Sequence, residues 1–144
     1  MPDAKISELP AATLPLAGTE PTIVVQGGET RRAPSSAFDT HGLSGFCSGK
    51  PAASEVVAGG VSPYAFSIAE ANCFAKALVA ATGSTTFVIN KNGTQIGTVV
   101  FAAAATLGTV DITTAAVVVG DYITIVAPAT ADATLANISF LLVE

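Results

Sequence analysis

At 144 residues, half of them hydrophobic and only 12% charged, the chain has room for one ordinary domain or a small domain with an arm. That excludes two full-sized cores and the larger cofactor-binding architectures. The net charge of −5 is unevenly placed: residues 51 to 144 carry only Lys76 and Lys91 as bases, which excludes a basic nucleic-acid footprint there.

The first fifty residues differ in character from the rest. They hold Pro2, Pro10, Pro15, Pro21 and Pro34, spaced so that no long helix can form. Ile6 to Leu9 and Thr22 to Gln26 are short apolar runs bounded by Pro10, Pro21 and Gly27-Gly28, each suited to one short strand or an extended contact. Neither run can build a core, so this part is expected to dock on something larger. Arg31 and Arg32 read as solvated residues or as partners for a carboxylate surface, since two adjacent arginines make a weak nucleic-acid motif. From Ala33 to Gly49 the residues are mostly small or polar, with Phe38, Leu43 and Phe46 as isolated apolar anchors, and this stretch reads as a linker.

From Pro51 onward, strand-length segments alternate with turn signals. Ser54 to Val57 leads to Val61 to Ile68, and Cys73 to Ala80 ends at Thr82-Gly83-Ser84. In Cys73 to Ala80 the alternation of Cys73, Ala75, Ala77 and Val79 with Phe74, Lys76 and Leu78 favours a strand over the helix that Ser67 to Ala80 also permits. Thr85 to Lys91 meets Asn92-Gly93 and continues into Gln95 to Ala102, the pattern of a hairpin whose turn needs positive φ at both central residues. Ala102 to Ala105 reads as a strand end or an alanine-lined contact with another chain. Thr109 to Thr113, Ala116 to Val119, Tyr122 to Ala127 and Thr134 to Val143 complete about eight strands, separated by Gly108, Gly120-Asp121 and Pro128. The expected fold is all-β: an extended arm and linker over residues 1–50, then a compact antiparallel β-sandwich, jelly-roll-like, over 51–144.

Little in the sequence points to chemistry. His41 is the only histidine and has no clustered Cys, Asp or Glu to complete a metal site. No serine lies in a Gly-x-Ser-x-Gly elbow, and Cys47 lacks a nucleophile context. Asp111, Asp121 and Asp132 fall at or beside predicted turns, where Asp is commonly a turn or capping residue. Gly27-Gly28 lacks the Gly-Lys-Ser/Thr ending of a phosphate loop. Cys47 and Cys73 read as buried thiols and not as a disulfide. The expectation is a protein with no catalytic residues, metal or cofactor, and no enzymatic activity.

Residues 1 to 15 carry Asp3, Lys5 and Glu8 where an export signal needs an apolar core, so the protein is expected to remain in the compartment where it is made. The longest uncharged stretch, Asn92 to Val110, is broken by Gly93, Gln95, Gly97 and several threonines, and does not read as a membrane span. A mean hydropathy of +0.59 leaves apolar surface over once a small domain has folded, so association between copies is expected.

Two stretches carry a resemblance. Lys5-Ile6-Ser7-Glu8-Leu9-Pro10-Ala11-Ala12, followed by Gly18-Thr19-Glu20 and by Val24 through Arg32, resembles an N-terminal segment recurrent among tailed-bacteriophage virion proteins. Phe87 to Val99, with Gly120 to Pro128, resembles small β-sandwich modules of phage fibre and decoration proteins, which commonly assemble as trimers. The resemblance implies a structural component of the virion, assembled in the bacterial cytoplasm, with the major capsid protein or other virion subunits as partners. Because Ala33 to Pro51 leaves no space for a fibre shaft, a homotrimeric capsid decoration or cement protein is favoured over a short tail fibre or receptor-binding module. On this reading Ile6, Leu9, Pro10, Ile23, Val24, Val25, Gln26, Arg31 and Arg32 form the attachment arm. Phe101, Ala102, Ala103, Ala104 and Ala105 are the expected trimer interface.

Overall fold

A computed structural model describes residues 21–26, 29–34, 41–114 and 116–144 of the chain. The chain divides into two compact units, Met1–Asp39 and Thr40–Glu144. In the first, β1 (Pro21–Gln26) and β2 (Glu29–Pro34) pair antiparallel, with Ile23 opposite Arg32 and Val24 opposite Arg31. The expected strand at Thr22 to Gln26 is therefore present. Its partner β2 is a strand that the polar run Glu29-Thr30-Arg31-Arg32 does not announce.

The second unit is all-β, as expected. Its strands are β3 (Gly42–Cys47), β4 (Val56–Val61), β5 (Phe66–Ser67), β6 (Phe74–Val79), β7 (Thr85–Lys91), β8 (Thr94–Phe101), β9 (Leu107–Ile112), β10 (Ala116–Val117), β11 (Tyr122–Val126) and β12 (Ala136–Val143). Eight of them form one antiparallel sheet in the order β3-β12-β6-β9-β8-β7-β11-β4, while β5 and β10 make a small separate pair. The two end strands, β3 and β4, come back into contact, so the sheet curls almost into a barrel and its opposite walls serve as the two layers of the sandwich. β3 lies inside the span read as linker, so the boundary falls near residue 40 and not near residue 50. The strand expected over Cys73 to Ala80 is present as Phe74–Val79, and of the helical alternative over Ser67 to Ala80 only a single 3-10 turn, Glu70–Asn72, is formed.

The core follows from alternation. Thr85, Phe87 and Ile89 on β7, Ala75 and Ala77 on β6, and Ile138, Phe140 and Leu142 on β12 face inward. The ring of Phe87 meets those of Phe101 and Phe140 edge-on, at centroid distances of 5.9 and 5.6 Å. On β8 the register slips between Gly97, opposite Ile89, and Gln95, opposite Asn90. This bulge buries Ile96 beside Gly97 and so keeps an extra aliphatic group inside. The Ile96 carbonyl accepts the Thr113 N–H at 2.8 Å and the Thr113 hydroxyl at 2.9 Å. At the hairpin tip Asn92 and Gly93 have φ of 52° and 83°, the left-handed pair that the Asn-Gly sequence predicts.

Contact between β3 and β4 depends on a missing side chain. Gly45 is opposite Phe140 and therefore faces inward, where a Cβ would overlap that of Ala58 on β4. Gly60, by contrast, would place a Cβ 3.7 Å from Leu43 Cδ2, an ordinary contact. The two glycines should thus respond with opposite signs. Gly45→Val should lower stability by about 1–3 kcal/mol through overpacking at the seam. Gly60→Ala should raise it by about 0.5 kcal/mol, because a strand glycine costs entropy and packs nothing. Urea midpoints of the two variants against the parent protein measure both effects.

Candidate functional site

The polar groups that sequence reading singles out are engaged in holding loops. His41 lies in the compact unit, its ring Nδ1 3.2 Å from Glu144 Oε1 and its centroid 4.7 Å from that of Tyr64. Asn72 Nδ2 donates to the Glu144 carbonyl at 2.9 Å, and the Glu144 N–H donates to the His41 carbonyl at 3.1 Å. His41 thus ties the start of the sheet to residue 144. Cys47 and Cys73 are both free and buried, and burial raises each thiol's pKa above its ordinary value. Cys73 Sγ is 3.3 Å from the Ala69 carbonyl oxygen.

Asp121 and Asp132 hold turns, as expected, whereas Asp111 lies within β9 opposite Thr98. The Asp121 carboxylate accepts the Val118 N–H at 2.9 Å and the Asn92 side-chain amide at 2.7 Å, with Lys91 Nζ 3.8 Å away. These groups hold its pKa below the usual carboxylate value, with the Val118 hydrogen bond the largest cause. Asn92 in turn accepts the Tyr122 N–H at 2.9 Å, so one network joins the β7–β8 turn to the start of β11. Asp132 pins two loops together: it accepts the N–H groups of Thr82, Gly83, Thr134 and Leu135 at 2.8–3.1 Å. Desolvation works against its charged form, but these four donors outweigh it and depress the pKa well below the usual range.

Among the described residues, no group of three or more His, Cys, Asp or Glu is placed to hold a metal ion. Leu43, Gly45, Ala58, Gly60, Ile125 and Phe140 line a cavity of about 30 Å³ at the seam, without a titratable group. The surface feature that stands out is instead the outer face of β3, β12, β6 and β9. There Phe46, Phe74, Leu78, Leu107 and Leu141 are 58%, 57%, 75%, 63% and 38% exposed. Pairing makes them neighbours: Leu141 is opposite Phe74, and Phe46, Ser139, Lys76 and Leu107 form one row across the four strands. On the other half of the sheet, the outer side of β7, β8 and β11 is mixed: Thr86, Asn90, Thr98 and Thr124 alternate with the half-buried Val88, Val100 and Val126 and with the exposed Tyr122.

The residues expected at a trimer interface are placed differently. Phe101 is fully buried within the subunit against Phe87 and is not available to another chain, because the inward phase of β8 ends on it. Ala102, Ala103, Ala104 and Ala105 form the turn between β8 and β9, with Ala104 at φ 60° and the Ala104 N–H donating to the Ala81 carbonyl. The turn's first three alanines are exposed, and they present little apolar area beside the aromatic and leucine side chains of the outer face. Of the expected attachment arm, Ile23, Val24, Val25 and Gln26 are on β1 and Arg31 and Arg32 on β2, while Ile6, Leu9 and Pro10 lie outside the described residues. No protein-family model, curated protein or solved structure matches the chain.

Removing the Asp132 carboxylate in Asp132→Ala should cost about 1 kcal/mol near neutral pH, a figure reduced because solvent reaches the loop. A depressed folded-state pKa means that this stabilisation is complete above the unfolded carboxylate value of about 4 and is lost as pH falls below it. The gap in urea midpoint between parent and variant should therefore narrow from about pH 7 to about pH 2.5. A gap of constant size would show that the charge is not what joins the loops.

Proposed function

We propose that this chain is a structural component of a tailed-bacteriophage particle: a homotrimeric decoration, or cement, protein of the head, located in the virion. The observation that carries the reading is the division of the chain near residue 40 into two units with different needs. Residues 41–144 contain a sheet with its own aromatic and aliphatic core. The β1–β2 hairpin has two strands, and an isolated two-stranded hairpin is at best marginally stable in water. It gains stability when it docks on a larger surface, and that is how an attachment arm works.

A knob carried by a docked arm fits the resemblance of Lys5 to Arg32 and of Phe87 to Pro128 to phage virion proteins. In this reading the arm adds its strands and apolar residues to the capsid, and the β domain forms the knob above it. The protein acts by binding, and catalysis has no part in it.

The test is to add full-length protein, or a chain lacking residues 1–39, to particles devoid of it and to count bound copies. Full-length protein should saturate its sites, while the truncated chain should stay in solution with an unchanged β-type circular dichroism spectrum. Equal occupancy by both would place attachment in the β domain and contradict the division of labour.

A further inference from the structure

We propose that a second copy of this chain packs on the outer face of β3, β12, β6 and β9, with Lys76 meeting Asp111 of the neighbouring copy. The face is the place where association between copies of this chain, expected from composition, has a physical basis. Only the number of copies, three, rests on the functional reading above.

Alternation on β6 sends the two alanines, Ala75 and Ala77, into the core and leaves Phe74, Lys76 and Leu78 outside. A strand facing only water has the opposite economy, with large apolar residues inward and polar ones outward. The neighbouring strands extend the same inversion through Phe46, Leu141 and Leu107. With apolar side chains of this size burying about 150–250 Å² each when fully covered, the five fractional exposures leave on the order of 500 Å² of apolar surface. That is at the upper end of the patches a solitary soluble subunit displays, about 300–600 Å². It also supplies more than half of the roughly 800 Å² per partner that a stable interface buries.

Charge decides what kind of partner fits. Lys76 lies within the apolar patch, opposite both Ser139 and Leu107, and among the described residues it makes no ion pair. Covering the patch with a purely apolar partner would strand that ammonium group, so the partner has to bring a carboxylate. Asp111 meets this need from within the same chain. It is exposed, four residues along β9 from Leu107 and in the same outward phase, and it too makes no ion pair among the described residues. A copy related by rotation brings its own apolar row and its own Asp111 to the same face. The apolar and charged requirements are then met together.

The experiment is light scattering on the full-length protein at micromolar concentration, with circular dichroism and thermal melting as folding controls. The parent protein should be an oligomer. Leu78→Asp and Phe74→Asp, both changes at exposed positions, should fold and sediment as monomers. Thr86→Asp on the other half of the sheet and Ala103→Asp in the β8–β9 turn should leave the oligomer intact. Lys76→Glu and Asp111→Lys should each weaken association at least tenfold, and the double variant should recover it. A monomeric parent, an oligomer that survives Leu78→Asp, or dissociation by Ala103→Asp alone would overturn the proposed face. Two weakened single variants that the double variant does not rescue would overturn the pairing of Lys76 with Asp111.

Discussion

The structure rests on one constraint: a single eight-stranded sheet has to enclose its own apolar side. Phe87, Phe101 and Phe140 come from three different strands and meet edge to face, and the sheet must curl for them to do so. Everything at the seam follows from that curl. β3 and β4 approach so closely at Gly45 and Ala58 that only a glycine fits, and glycine and alanine replace the larger residues found elsewhere in the wall. The bulge at Ile96 serves the same end, because it adds one buried aliphatic group where strict alternation would have turned it outward. Asp132 and Asp121 then fix the loops at which the strands reverse, using backbone N–H groups that would otherwise lack partners.

The strands that were legible in the sequence are those whose apolar residues alternate between strong turn signals. Thr85 to Lys91 with Asn92-Gly93 is the clearest case, and β11 and β12 are similar. β3 was not legible, because Gly42, Ser44 and Gly45 give no apolar rhythm: Gly45 is small so that the seam can close, and Gly42 so that Val143 of β12 can lie beside it, reasons that exist only in three dimensions. β2 was obscured by its charged residues, although Gly27-Gly28 between two runs of equal length was a usable hairpin signal. The alanines after Phe101 looked like a contact surface because small residues permit close approach. They form the exposed turn between β8 and β9, whereas the outer apolar face is visible only once β3, β12, β6 and β9 are known to be neighbours. Asp132 could be read as a turn residue, but not as the pin between loops fifty residues apart.

The two units of the chain differ in what can stabilise them. The sheet buries its own core and leaves Phe46, Phe74, Leu78, Leu107 and Leu141 exposed on the outer face of β3, β12, β6 and β9, which suits association with like subunits. The β1–β2 hairpin has too few strands to do the same, so its order depends on what it touches. Under the proposed function these properties are complementary: a sheet with its own core would serve as the knob, and a hairpin that needs a larger surface would serve as the attachment.

Native-state hydrogen exchange on the full-length protein, resolved by residue, tests this account most directly. It predicts that amides of β7, β8, β11 and β12, together with those of β3 and β4 that pair with them, share one high opening free energy, as a sheet joined at its seam requires. Amides of Pro21–Gln26 and Glu29–Pro34 should exchange much faster in the isolated protein. Equal protection of the hairpin and the sheet, or separate early opening of β3 and β4, would contradict it.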